Sequence, residues 1–142
     1  MRVLIDTSVW SQFLRRPASP ATPDQDRLRM VVADLIADGR VVLPGVVRQE
    51  ILSGIRDDAR FHKVKTVLRT IDDEPMTTED FESAAAAFTT CRRAGIAPTF
   101  VDMTLCALAI RLQAPILTLD KDFARYATVL PIQIHDCMTR MP

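Results

Sequence analysis

Residues 3–10 read VLIDTSVW, an apolar run that stops at Asp6, Thr7 and Ser8 and then resumes with Val9 and Trp10. Val3, Leu4 and Ile5 have the length and composition of a strand buried on both faces, which puts Asp6 at its carboxyl end. Open parallel sheets carry their chemistry at that end of their strands. A second reading is that Asp6 or Ser8 simply caps the helix that follows, since both residue types are good N-caps.

Working outward, short apolar runs alternate with longer helical patterns. Runs at 3–5, 41–43, 116–119 and 132–134, with a weaker one near Ile71, read as strands. Between them the sequence predicts a first helix ending near Arg15 and Arg16. Further helices follow over 24–38, 44–53, 57–70, 78–94 and 102–113, several closed by Gly39, Gly54, Gly95 or Pro115. Alanine-rich SAAAAF at 83–88 belongs to one of them, and the stretch from Pro17 to Pro23 reads as a loop. Strands separated by helices imply right-handed crossovers and a parallel sheet covered on both faces. The expectation is an α/β fold: a three-layer α/β/α sandwich with a central parallel sheet of four to five strands, one domain over 1–142.

Composition bounds the function. A chain of 142 residues with 48% hydrophobic content suits a soluble domain with one substantial core. No uncharged run approaches a membrane span, and Asp6 interrupts the N-terminal run too early for a secretory signal, so a cytoplasmic protein is expected. Cys91, Cys106 and Cys137 are odd in number and widely spaced, which suggests neither a disulfide framework nor a zinc site. Formal charge is zero, from 18 basic and 18 acidic side chains, and lends no support to a polyanion partner. Setting four acids aside in a metal pocket, 18 less 4, leaves 14 against 18 bases.

Four acids fall where such a pocket would form. Asp120 follows Ile116-Leu117-Thr118-Leu119 as Asp6 follows the first run. Glu50, in the helix after the second strand, shares a face with Val46, Val47 and Gly54 and is aimed at the protein. Asp102 opens a helix whose same face holds Leu105, Cys106, Ala109 and Ile110; an acid favoured by the helix dipole is its alternative. Carboxylates gathered in a partly dry cleft raise one another's pKa values and resist joint ionisation. A hard cation compensates, and Mg²⁺ or Mn²⁺ takes oxygen ligands. His62 and His135 lie away from these acids in the pattern, which argues against zinc.

VLIDTSVW, Glu50 in RQEILSG, Asp102 in FVDMTLCALAIRL and ILTLDKDF together resemble the four acidic motifs of the PIN-domain ribonucleases, and more narrowly the VapC-type toxins of bacterial toxin-antitoxin systems. The resemblance runs from Arg2 to about Phe123, in the family's motif order. It implies that Asp6, Glu50, Asp102 and Asp120 are the catalytic acids. Asp6 and Asp102 would be the main metal ligands, Asp120 would lie close by, and Glu50 would orient the attacking water. Ser8 and Thr118 would hold the carboxylates through hydrogen bonds. Asp122 also falls in the last motif, but alternation along the chain turns it differently from Asp120, so it would only support them, and helix capping is its simpler reading. The activity implied is Mg²⁺- or Mn²⁺-dependent hydrolysis of RNA to 5′-phosphate and 3′-hydroxyl ends. The partners implied are RNA, a homodimeric second copy and a cognate VapB-like antitoxin.

Arg15, Arg16, Arg92 and Arg93 are candidates for phosphate contacts, or else ordinary solvated helix ends. Trp10 and Phe13 could stack a base, or pack in the core or at a subunit interface. Other classes remain to be separated. A haloacid dehalogenase-like phosphatase needs an acid two residues after its first Asp, where this chain has Ser8. A receiver-like domain needs paired N-terminal acids and a strand-end Lys. A PIN-like scaffold that binds without cutting usually lacks some of the four acids.

Overall fold

The computed structural model describes residues 1–15 and 20–137, so Arg16 and part of the proline-punctuated loop lie outside it. The chain order is β1 (Val3–Ile5), α1 (Thr7–Leu14), α2 (Pro23–Ala37), β2 (Val41–Val42), α3 (Gly45–Ser53), α4 (Asp58–Leu68), α5 (Thr78–Arg93), α6 (Phe100–Leu112), β3 (Ile116–Leu117) and α7 (Asp122–Tyr126). The sheet is parallel in the order β2-β1-β3. Leu4 sits at its centre, in register with Val42 on one side and Ile116 on the other. Val3, Leu4 and Ile5 are wholly buried, as an apolar run covered on both faces requires. Among the described residues no helix is long and apolar enough to cross a membrane.

Among the described residues, the expected four to five strands are corrected to three. At one edge the Glu74 N–H bonds to the Leu43 carbonyl at 2.8 Å, but pairing stops at an isolated Pro44–Glu74 bridge. Pro44 and Pro75 have no N–H with which to continue it. At the other edge Ile116 accepts from the His135 N–H and donates to the Gln133 carbonyl, both at 2.8 Å. There too only one bridge forms, Ile116 to Ile134. Past it the Cys137 N–H turns back to His135 Nδ1 at 3.2 Å, which takes the chain off the ladder.

Local chemistry sets the helix ends. Thr22 and Thr77 close capping boxes with Gln25 and Asp80 at the starts of α2 and α5. Thr99 caps α6 by accepting from the Asp102 N–H at 3.1 Å, so that helix begins two residues before Asp102. Gly39 and Gly95 take the left-handed conformation, φ 66° and 75°, and the chain turns sharply out of α2 and α5. α5 and α6 lie along each other as a hairpin. Asp80 at the start of α5 meets Arg111 near the end of α6 at 2.7 Å, and Phe88 stacks on Phe100 at 5.0 Å at the other end. Asp102 and the exposed Arg92 and Arg93 are therefore at the same end of the hairpin.

Candidate active site and metal centre

The site lies beyond the carboxyl ends of β1 and β3. The Asp6 N–H donates to the Leu117 carbonyl at 3.0 Å, the last link before the two chains part. Asp6 occupies the N-cap position of α1, yet its side chain makes no capping bond. The carboxylate, in a residue only 7% exposed, is taken instead by two hydroxyls. Ser8 Oγ and Thr118 Oγ1 donate to Asp6 Oδ2 at 2.8 and 2.9 Å. Each hydroxyl is itself aligned by a backbone donor, Leu119 N–H on Ser8 Oγ and Asp120 N–H on Thr118 Oγ1, both at 3.0 Å. With their lone pairs occupied from behind, the hydroxyl protons are directed at Asp6. The geometry thus decides against capping as the role of the Asp6 side chain.

Asp102, half-buried, accepts from the Tyr126 phenol through Oδ2 at 2.8 Å. Burial pushes the Asp102 carboxyl above its usual range, and the like charges of Asp6 and Asp120 add to the effect while the Tyr126 and Thr99 hydrogen bonds oppose it. Burial, then the bond to Asp102, also drive the phenol's pKa up, so Tyr126 stays protonated as a donor. The neighbouring Cys106 thiol is pushed up to about 12, chiefly by burial, and is a packing group. All three cysteines are buried and free.

β3 ends at Leu117 rather than Leu119, so Asp120 stands three residues past the strand instead of directly at its end. The strand stops because its partner β1 ends at Ile5, where the chain turns through Asp6 into α1. Alternation no longer governs the residues beyond, and this corrects the place of Asp122. Its N–H is bonded by Asp120 Oδ1 at 2.9 Å, so Asp120 supplies the bond at the start of α7 and Asp122 is not the cap. Asp102, Asp120 and Asp122 each offer a carboxylate oxygen, and these three oxygens lie within 4.8 Å of one another. Neither Asp6 nor Glu50 belongs to that trio. Glu50 is exposed on α3, rather than turned inward, and its Oε1 accepts from Thr7 Oγ1 at 2.8 Å across to α1.

The basic candidates are spread out. Arg15 is exposed and lines a groove with Glu50 and Arg60, whose guanidinium donates to the Leu14 carbonyl. The Arg92 guanidinium lies over the Phe88 ring, 5.8 Å from its centroid. Trp10 is wholly buried and meets Phe13 edge-on at 6.2 Å, so it is core rather than a surface for stacking bases. His62 is exposed on α4 and His135 sits at the far sheet edge, so the acidic trio holds no imidazole. Tyr126 is the contributor that sequence patterns missed. The available signal was its spacing: at i+4 from Asp122 it falls on the same face of α7.

Residues 3–129 match the family model for the PIN domain. Over 136 residues, 92% of this chain and 96% of each relative, the sequence is 32% identical to VapC ribonuclease Mb1587 of Mycobacterium bovis and to ribonuclease VapC11 of Mycobacterium tuberculosis. The chain belongs to the PIN domain family and, within it, to the VapC ribonucleases. Among solved structures, FitAcB from Neisseria gonorrhoeae superposes with a TM-score of 0.74 at 17% identity, covering 98% of this chain and 99% of that one. VapBC2 from Rickettsia felis, bound to a DNA fragment from its promoter, gives 0.72 at 15% identity, covering 94% and 96%. At these identities the two structures show the shared fold. Among the described residues, seven helices around a parallel sheet make that PIN-like sandwich.

Proposed function

We propose that this chain is a Mg²⁺- or Mn²⁺-dependent endoribonuclease, the toxin of a toxin-antitoxin pair, and that it hydrolyses RNA to 5′-phosphate and 3′-hydroxyl ends. The observation that carries this is the convergence of three carboxylates from α6, the β3–α7 turn and α7, in a chain whose relatives are named ribonucleases. The donor set fits a hard divalent cation: it is all oxygen, with no thiolate or imidazole. Asp102, Asp120 and Asp122 would hold the ion, with Asp6 facing it across the site. A divalent ion so held lowers the pKa of water and neutralises charge developing on phosphate oxygens.

The protein's own groups supply position. Ser8 and Thr118 hold Asp6 in its orientation through hydrogen bonds to Oδ2. Glu50, held by Thr7 at the exposed rim, orients the attacking water. Arg15, Arg92 and Arg93 attract the RNA backbone. A VapB-like antitoxin as partner draws support from the likeness to VapBC2. A homodimer and a cytoplasmic location complete the reading.

The test is incubation of purified protein with end-labelled cellular RNA and Mg²⁺ or Mn²⁺. Discrete fragments that vanish with EDTA are expected. Cleavage that persists in EDTA, or none with either ion, overturns the proposal.

A further inference from the structure

Tyr126 is the only tyrosine in the chain and lies beyond the ILTLDKDF stretch. Its ring is fixed from below by the core: Tyr126 and Phe123 are both buried and meet edge-on, 5.3 Å between centroids at 79°. Only the hydroxyl reaches the site, where it donates to Asp102 Oδ2 at 2.8 Å. Asp102 stands on α6 and Tyr126 on α7, so this single bond ties together the two helices that carry ligand oxygens. With Oδ2 engaged, Asp102 has Oδ1 left for a cation. Thr99 also bonds Asp102, but without the phenol's bond the carboxylate would turn more freely about its χ angles and spread its oxygens over more directions.

We infer that Tyr126 is a positioning residue that orients Asp102 and thereby sets the affinity of the acidic trio for its divalent ion. The inference rests on the metal reading above. Partners that orient metal ligands typically change affinity by about 10–100-fold when removed. Tyr126→Phe deletes the hydroxyl alone and keeps the ring in its packing.

The direct test is a Mn²⁺ titration of wild type and Tyr126→Phe, with free ion followed by electron paramagnetic resonance. The variant should bind about 10–100-fold more weakly, and cleavage should recover towards wild type at high Mn²⁺. Equal Mn²⁺ affinity in the two proteins overturns the inference. A second measurement reads the hydroxyl-bearing wild type itself. With 3-fluorotyrosine incorporated, the single ¹⁹F resonance of the wild type should move on Mg²⁺ addition and stay fixed in Asp102→Asn. A wild-type resonance indifferent to Mg²⁺ also overturns the inference. The two levels separate cleanly: Tyr126-dependent Mn²⁺ binding without RNA cleavage overturns the nuclease reading alone. Metal-dependent cleavage with an indifferent Tyr126→Phe overturns this inference alone.

Discussion

Four acids of the site, Asp6, Asp102, Asp120 and Glu50, each give one carboxylate oxygen to a protein donor. Asp6 gives Oδ2 to two hydroxyls, Asp102 gives Oδ2 to a phenol, Asp120 gives Oδ1 to a backbone N–H, and Glu50 gives Oε1 to Thr7. Such bonds fix carboxylates that would otherwise repel one another into disorder. Ser8→Ala and Thr118→Val should therefore each cost about 10–100-fold in cleavage rate or metal affinity, with little change in melting temperature. Steady-state cleavage and Mn²⁺ titration check this, and rates within twofold of wild type for both would show the hydroxyls to be idle. Asp6, Ser8 and Thr118 were legible because residue type and position in a strand-end motif already point to them. Asp122 was misjudged, since alternation along a strand was extended past the point where the strand ends. Tyr126 was missed because its hydroxyl matters only through a contact 24 residues back in the chain.

At the scale of elements, the core and the hairpin hold the site still. Trp10 is wholly buried beneath α1, one turn from Asp6, so Trp10→Ala should destabilise the fold by about 3–5 kcal/mol. Denaturant unfolding measures it, and a loss under about 1 kcal/mol would place the indole outside the core. The α5–α6 hairpin that presents Asp102 is fastened by Asp80, 2% exposed, and Arg111. Hydrogen bonds from the guanidinium hold the Asp80 carboxyl below its ordinary 3.8, against the upward push of burial. A depressed folded-state value means the stabilisation is present above the unfolded value and disappears as pH falls through the folded one. Arg111→Leu should lower stability at neutral pH, and the gap from wild type should close as pH drops below about 4. A gap independent of pH would contradict the ion pair. This fastening was invisible to sequence reading because its partners are 31 residues apart on two helices. The helices themselves were legible from caps and glycines to within a few residues. The edge strands were over-read, because apolar runs beside Pro44, Pro75 and Pro131 look like strands in composition but lack the donors to pair.

For the whole molecule, a formally neutral chain brings Asp102, Asp120 and Asp122 together beside Asp6, beyond the carboxyl ends of β1 and β3. That local cluster, more than total charge, is what suits a divalent cation. The family was legible because four motifs occur in order, while the composition of the acidic trio needed coordinates. We propose that these oriented carboxylates direct water, rather than the RNA's own 2′-hydroxyl, at phosphorus. The chemistry of the product ends, compared between wild type and Asp102→Asn in Mg²⁺, decides between the two. The wild type should give 5′-phosphate and 3′-hydroxyl ends, and the variant no such products. Products ending in 2′,3′-cyclic phosphate, or cleavage undiminished in Asp102→Asn, would contradict it.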